Sequence, residues 1–108
     1  MIIILHLPDS ARIGNGLSNA KNLLSTEDFS DNDMIYIILN GSAVAAIIDA
    51  DIPPVLRNDV RVKLVLCKNS LIANHILDAQ IPPFYVIVPS AIQEIVRLQA
   101  TGAFYVRP

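Results

Sequence analysis

The sequence contains one cysteine, no tryptophan and only two histidines. A single cysteine cannot form a disulfide within the chain, so a reducing compartment is its natural setting. The chain opens without the basic leader of a secretory signal, and we therefore expect a cytoplasmic protein. The cysteine and the histidines lack metal-ligand spacing, so we expect neither a metal site nor another cofactor.

Charged residues make up only 17% of the chain, and the eight lysines and arginines are scattered along it. Non-specific binding to nucleic acid needs clustered positive charge, so a net charge of −2 without a basic run argues against that class of protein. The apolar run at Met1–Leu7 is far shorter than the roughly 20 residues of a membrane-spanning helix. We therefore expect no nucleic-acid partner and no membrane partner.

Hydrophobic residues, in contrast, make up 53% of the sequence. Globular domains typically contain about 45–50%. A chain of 108 residues can build a single core, and it cannot easily bury such an excess by itself. The composition therefore predicts a homo-oligomer, in which another subunit covers part of the surface.

Five segments have the pattern of strands, and the first three, which are rich in β-branched residues and leucine, have the pattern of buried strands. In chain order they are Ile2–Leu7, Met34–Leu39, Val60–Leu66, Phe84–Val88 and Ala103–Val106. Segments with helical spacing of apolar residues separate them. This alternation predicts one α/β domain over residues 1–108, a three-layer α/β/α sandwich with a mainly parallel five-stranded sheet.

Capping and breaking residues set the predicted helix boundaries. We expect Asp9 or Ser10 to cap the first helix and Pro53-Pro54 to exclude a regular helix around them. A short helix is predicted at Ser70–Leu77. These boundaries place the helices between the strands, where they can cover the sheet.

The last helix has the clearest limits. Ser90 and Gln93 have the spacing of a capping box, and Gly102 stands where a helix needs a left-handed stop. Between them the apolar spacing predicts a face toward the sheet made of Ile92, Ile95, Val96 and Gln99.

Polar residues follow four of the predicted strands. They are His6, then Asn40 with Gly41, then Cys67, Lys68, Asn69 and Ser70, and finally Ser90, with Glu94 one turn into the last helix. In open parallel sheets, ligands and reactive groups collect at the carboxyl ends of the strands. We therefore expect these residues to form one candidate site.

Cys67 is the candidate for chemistry, because it lies between a predicted strand and a helix. The amino end of a helix offers free N–H groups and a positive dipole, and Lys68 adds positive charge. Both favour the thiolate, so the pKa of Cys67 should lie below about 8.5. The alternative is a small buried core residue, which is common for free cysteine.

For each of the other candidate residues, a purely structural role is an alternative to the functional one. His6 is either a hydrogen-bonded strand-end residue or a base. Asn40-Gly41 is a turn signal or an anion contact, because glycine supplies positive φ. Ser90 is first a helix cap, and the dipole of its own helix already favours Glu94 where it stands.

Two motifs resemble the DsrE/DsrF-like family of small sulfur-handling proteins. The first is Cys67-Lys68-Asn69-Ser70-Leu71, and the second runs from Val88-Pro89-Ser90 through Glu94 and Arg97 to Gln99. His6-Leu7, Asn40-Gly41, Gly102 and Tyr105-Val106-Arg107-Pro108 also match, so the resemblance spans nearly the whole chain. Ala91 stands where relatives often have glycine, and Pro82-Pro83 departs from the pattern.

The resemblance implies a flavodoxin-like DsrEFH-like fold and assembly into trimers or hexamers. In the DsrEFH and TusBCD complexes a cysteine carries sulfur as a persulfide and passes it to a partner protein. Cys67 occupies the position of the motif cysteine, so the resemblance implies that it accepts sulfur. His6, Asn40, Gly41 and Ser90 would then line its pocket.

The sequence leaves three hypotheses open. The first is a cytoplasmic sulfur-relay protein, with Cys67 as acceptor and a sulfur donor or acceptor protein as partner. The second is an oligomeric module that binds a small molecule or anion between subunits without catalysis. The third is a structural oligomer in which Phe104-Tyr105-Val106 is an interface strand.

Overall fold

Five parallel strands form one sheet in the computed structural model, which describes residues 1–108. The strands are β1 (Ile2–Leu7), β2 (Met34–Leu39), β3 (Val62–Cys67), β4 (Tyr85–Val88) and β5 (Phe104–Val106). Their order across the sheet is β4-β3-β2-β1-β5, and every neighbouring pair is parallel. The predicted α/β class with a five-stranded parallel sheet is therefore confirmed.

Five helices connect these strands. They are α1 (Ile13–Leu24), α2 (Ala43–Ile48), α3 (Pro54–Arg57), α4 (Lys68–Ala73) and α5 (Ala91–Ala100). None of them combines the length and apolar character that a bilayer-spanning helix needs. Short 3₁₀ turns at Ser10–Arg12 and Asp78–Gln80 complete the connections.

The two faces of the sheet are covered unequally. The first four strands follow one another across the sheet, and right-handed crossovers place α1 to α4 on one face. Only α5, which returns to β5 beyond β1, covers the other face. The core on the α1–α4 face has 18 buried residues and the core on the α5 face has seven. The hydrophobic core on the α5 face is therefore much the smaller of the two.

The connections after two neighbouring strands run to opposite faces of the sheet. Flavodoxin has the order 2-1-3-4-5, whereas here β1 lies between β2 and β5. The connection that leaves β3 runs through α4 on one face, and the connection that leaves the adjacent β4 runs through α5 on the other face. Since ligands bind at such switch points, beyond the carboxyl ends of the strands, the ends of β3 and β4 are part of the candidate site.

Two predicted helix boundaries were wrong. No side chain caps α1; Asp9 accepts instead from Arg12 Nε at 3.1 Å, and a 3₁₀ turn precedes the helix. The prolines do not exclude a helix, because α3 begins at Pro54. Proline at the first position of a helix gives up an N–H that has no intrahelical partner there.

Helix α4 begins two residues earlier and ends four residues earlier than predicted. It ends because His75 adopts a left-handed conformation with φ of 58°. Ile76 N–H then donates back to the carbonyl of Leu71 at 2.9 Å, which closes the helix. His75 is exposed just beyond α4 rather than on it.

Helix α5 has the predicted ends and a different buried face. Ser90 Oγ accepts from Gln93 N–H at 3.2 Å, and Gly102 has φ of 98°. The residues that pack on the sheet are Ala91, Ile95 and Leu98, whereas Ile92 and Val96 are 57% and 61% exposed. Ile95 is therefore buried as predicted, but the prediction was wrong for Ile92, Val96 and Gln99, because α5 carries two apolar stripes and the other one packs on the sheet.

Candidate functional site

Cys67 is the last residue of β3, and its side chain lies on the α5 face of the sheet. The residue is 5% exposed and packs in the same apolar cluster as Ala91, the first residue of α5. The N–H groups of Asn69 and Ser70, at the start of α4, and of Ala91 also approach its sulfur. Two helix starts therefore converge on one thiol.

These groups decide the ionisation of the thiol. Burial raises the pKa of Cys67, but the Ser70 hydroxyl and the N–H groups of Ala91, Ser70 and Asn69 outweigh it. The net effect is a pKa below the ordinary value of a cysteine, because hydrogen-bond donors favour the charged form. The sulfur thus has the electrostatic setting of a nucleophile or an anion.

The Ser70 hydroxyl is held in place by the neighbouring turn. Its oxygen accepts from Gly41 N–H at 2.9 Å, which leaves the hydroxyl hydrogen available for the sulfur. Gly41 has φ of 58°, and a Cβ there would lie 2.3 Å from the carbonyl oxygen of Pro8. Only glycine fits this turn, so the predicted turn at Asn40-Gly41 is confirmed.

His6 lies near the end of β1, buried with 7% exposure and hydrogen-bonded through both ring nitrogens. Its Nδ1 is 2.6 Å from the Tyr105 hydroxyl, and its Nε2 is 2.9 Å from Asn40 Oδ1. Because Oδ1 can only accept, a neutral His6 donates from Nε2 and accepts a hydrogen bond from the Tyr105 hydroxyl at Nδ1.

Tyr105 is the residue of this site that sequence reasoning missed as a functional candidate. It lies in β5, level with Ile4, and its ring centroid is 5.6 Å from that of His6. The two residues are 99 positions apart in the sequence. The only available signal was the Tyr105-Val106 match in the carboxyl-terminal motif, which did not indicate a partner.

Asn40 lies between His6 and Cys67. Leu39 of β2 is paired with Leu66 of β3. The residues that follow them, Asn40 and Cys67, are therefore neighbours at this edge of the sheet. Adjacent strands are about 4.8 Å apart. The structure therefore brings Asn40, Gly41, Ser70 and Cys67 together, as the sequence predicted, with His6 one strand further.

Three other predicted site residues are engaged elsewhere. The Lys68 ammonium pairs with Asp78 Oδ1 at 2.5 Å, and Lys68 is not among the groups that lower the pKa of Cys67. Glu94 accepts from Arg97 on the same helix, and the Ser90 hydroxyl caps α5. Asn69 contributes its N–H to the sulfur while its side chain is exposed.

The largest cavity lies away from this site. It is an open groove of about 430 Å³ beside α1, β1 and β5, lined by Met1, Ile3, Leu5, Asn19, Asn22, Leu23, Phe104 and Val106. Its lining is apolar except for two amide side chains and contains no nucleophile or acid. Nowhere in the structure do three His, Cys, Asp or Glu side chains come together as a metal site.

No family model matches the chain, and no curated protein matches it. Among solved structures, the chain is similar to MTH1491 from Methanobacterium thermoautotrophicum, a protein of unknown function. The two share 23% identity and a TM-score of 0.71, over 99% of this chain and 96% of the other. This likeness supports the α/β fold described above.

Proposed function

We propose that this protein is a sulfur carrier that holds sulfur as a persulfide on Cys67. The observation that carries the proposal is the convergence of two helix starts and the Ser70 hydroxyl on one sulfur atom. These donors stabilise a thiolate, and they would equally stabilise the anion of a persulfide. The motif around Cys67 and Ser70 supports the same role through its resemblance to the DsrE/DsrF-like family.

Sulfur transfer at Cys67 needs no cofactor. The Cys67 thiolate attacks the outer sulfur of a persulfide on a donor protein, a new S–S bond forms, and the donor leaves as a thiolate. In the second step the thiolate of an acceptor protein attacks the outer sulfur now on Cys67. One S–S bond replaces another in each step, so no external oxidant or reductant is consumed.

The small exposure of Cys67 fits a carrier. A thiol that is 5% exposed meets bulk thiols less often than one on the open surface. Its persulfide is therefore shielded from unspecific reduction, and transfer favours a partner that docks at the carboxyl ends of the strands. The setting we propose for this exchange is the reducing cytoplasm.

We further propose that the chain assembles as a homo-oligomer, a trimer or a hexamer. Helix α5 alone covers its face of the sheet, and its stripe of Ile92 and Val96 is exposed. Val86 of the edge strand β4 faces the same side and is also exposed. A second copy seated on this stripe would remove apolar surface from water close to the start of α5.

A second candidate function is the binding of an anion without chemistry at the cysteine. The same N–H groups of Asn69, Ser70 and Ala91 that lower the pKa of Cys67 suit a small oxyanion. In this case Cys67 only lines the pocket. A Cys67→Ser protein would then bind its ligand as the wild type does.

Alkylation and sulfur loading test the first candidate directly. Iodoacetamide is added across roughly pH 5 to 10, and the adduct is read by intact mass. Loading from a small-molecule persulfide is scored in parallel, with Cys67→Ser as control. A midpoint below about 8.5 and a gain of one sulfur by the wild type alone support the carrier. A slow reaction, a raised midpoint and no sulfur gain would contradict it.

A further inference from the structure

We propose that Tyr105 and His6 are positioning residues that orient the Asn40 carboxamide, so that its N–H₂ group donates to a sulfur anion on Cys67. This inference rests on the proposed function. The Asn40 side chain, which follows β2, would join the hydrogen-bond donors that α4 and α5 supply to the same sulfur. Neither Tyr105 nor His6 needs to touch the sulfur in this arrangement.

The hydrogen bonds between these residues run in one direction. Tyr105 O–H donates to His6 Nδ1 over 2.6 Å, and His6 Nε2–H donates to Asn40 Oδ1 over 2.9 Å. The Asn40 oxygen is thereby occupied, while its Nδ2 makes no hydrogen bond within the protein and is accessible from outside. Each donation in such a chain polarises the next donor, so the free N–H₂ group is a better donor than that of an isolated amide.

The register of the sheet places this amide beside Cys67. Residues Leu7, Leu39 and Leu66 are level across β1, β2 and β3, so Asn40 and Cys67 follow at the same height on neighbouring strands. Both side chains belong to the α5 side, since Asn40 bonds His6 and Cys67 packs on Ala91. The distance between the two strands is about 4.8 Å, within reach of one side chain.

A second tyrosine on the same face of the sheet, Tyr36, makes no hydrogen bond to His6 and can serve as a control for Tyr105. Both tyrosines flank Ile4, Tyr36 from β2 and Tyr105 from β5, and both face the α5 side of the sheet. Only Tyr105 hydrogen-bonds His6. The two tyrosines therefore offer a matched comparison. Each Tyr→Phe substitution removes one hydroxyl from the same face of the sheet, but only Tyr105→Phe removes a hydrogen bond to His6.

The test compares Tyr105→Phe with Tyr36→Phe in the alkylation profile of Cys67. We expect Tyr105→Phe and Asn40→Leu to raise the midpoint by about 0.5 pH unit, roughly a threefold loss of thiolate below the midpoint. Tyr36→Phe should leave the midpoint unchanged. An equal midpoint for Tyr105→Phe and the wild type overturns the proposal.

A second pair of variants separates orientation from general damage. Gln at position 6 keeps an acceptor for Tyr105 and a donor for Asn40, whereas Leu keeps neither. We therefore expect His6→Gln to retain a midpoint nearer the wild type than His6→Leu, and equal midpoints would contradict the inference. If His6→Leu does not fold, the two Tyr→Phe variants still decide.

Sulfur loading distinguishes failure of this inference from failure of the carrier proposal. A wild type that takes up sulfur, with no effect of Tyr105→Phe on the midpoint, overturns only the role of Tyr105 and His6. A wild type that takes up no sulfur overturns the carrier, whereas a raised midpoint in Tyr105→Phe would still support the role of Asn40 toward the Cys67 thiolate.

Discussion

The Ser70 hydroxyl accepts a hydrogen bond from Gly41 N–H at 2.9 Å, and the same hydroxyl lowers the pKa of the Cys67 thiol. One side chain therefore joins the turn after β2 to the helix after β3. It couples the stability of the sheet edge to the ionisation of the thiol.

Removal of this hydroxyl should change both properties. We expect Ser70→Ala to cost about 1 kcal/mol of unfolding free energy, because Gly41 N–H loses its acceptor. The pKa of Cys67 should rise, because a donor to the thiolate is lost. Urea denaturation and the pH profile of alkylation measure the two effects.

Ser42→Ala is the matched control for this variant. Ser42 Oγ accepts from Ser10 N–H at 2.9 Å, a similar link between two loops that has no part in the donor set of Cys67. It should lower stability to a similar extent and leave the alkylation midpoint unchanged. A shift of the midpoint in Ser42→Ala would show that the pKa of Cys67 follows loop stability rather than the Ser70 hydroxyl.

Substitution of Gly41 should be among the most destabilising changes in the turn region. Alanine there would be left-handed, and its Cβ would meet the rigid Pro8 carbonyl at 2.3 Å. We expect Gly41→Ala to cost about 3 kcal/mol or more in urea unfolding. Gly14→Ala is the control: its Cβ meets nothing within 4 Å in helix α1, so it should gain about 0.5 kcal/mol.

Asp33 should give the protein an acid-sensitive component of stability. Its carboxylate pairs with the amino group of Met1 at 2.7 Å and accepts from Ser30 N–H, which lowers its pKa. A lowered folded pKa means that this stability is complete above the unfolded value of about 3.9 and is lost as the pH falls through the folded value.

Asp33→Asn should therefore reduce the difference in urea midpoint between neutral and acid pH. Asp28→Asn removes a carboxyl from the same acidic loop, at an exposed position without a partner, and should leave that difference unchanged. An unaltered acid dependence in Asp33→Asn would contradict a role for the pair with Met1.

The proposed assembly makes a prediction for the exposed stripe of α5. Ile92→Lys or Val96→Lys places a charge where we propose that a second copy packs, and should shift sedimentation toward the monomer. Ser18→Lys adds the same charge to an exposed position of α1, on the opposite face of the sheet, and should leave the assembly intact. Monomeric wild-type protein, or oligomers unaffected by either substitution, would contradict this interface.

The sequence was sufficient for the three central strands, β1 to β3, because a strand that is buried on both faces needs a continuous apolar run. The bounds of β1 and β2 are as predicted, and β3, β4 and β5 differ by one or two residues. It was also sufficient for the position of Cys67 between a strand and a helix, since strand, cysteine and helix are consecutive.

The contacts of the site could not be predicted, because they depend on side-chain direction and on distant residues. Lys68 stands beside Cys67 in the chain but turns to Asp78, ten positions later. Ile92 and Val96 have the same helical spacing as the stripe that is buried. The bond between His6 and Tyr105 exists only because β5 pairs with β1, which is a property of the whole sheet.

The pairing of β5 with β1 also sets an order of events during synthesis. Ile3, Ile4 and Leu5 pair with Phe104, Tyr105 and Val106, so β1 lacks this neighbour until β5 has been synthesised, about 100 residues later. A nascent chain can assemble β1 to β4 and still carry an open edge on β1. That edge closes, and His6 meets Tyr105, only when the segment after α5 has left the ribosome. On our proposal, a ribosome-bound chain would therefore contain His6, Asn40 and Cys67 before Tyr105, the first donor of the chain that orients Asn40.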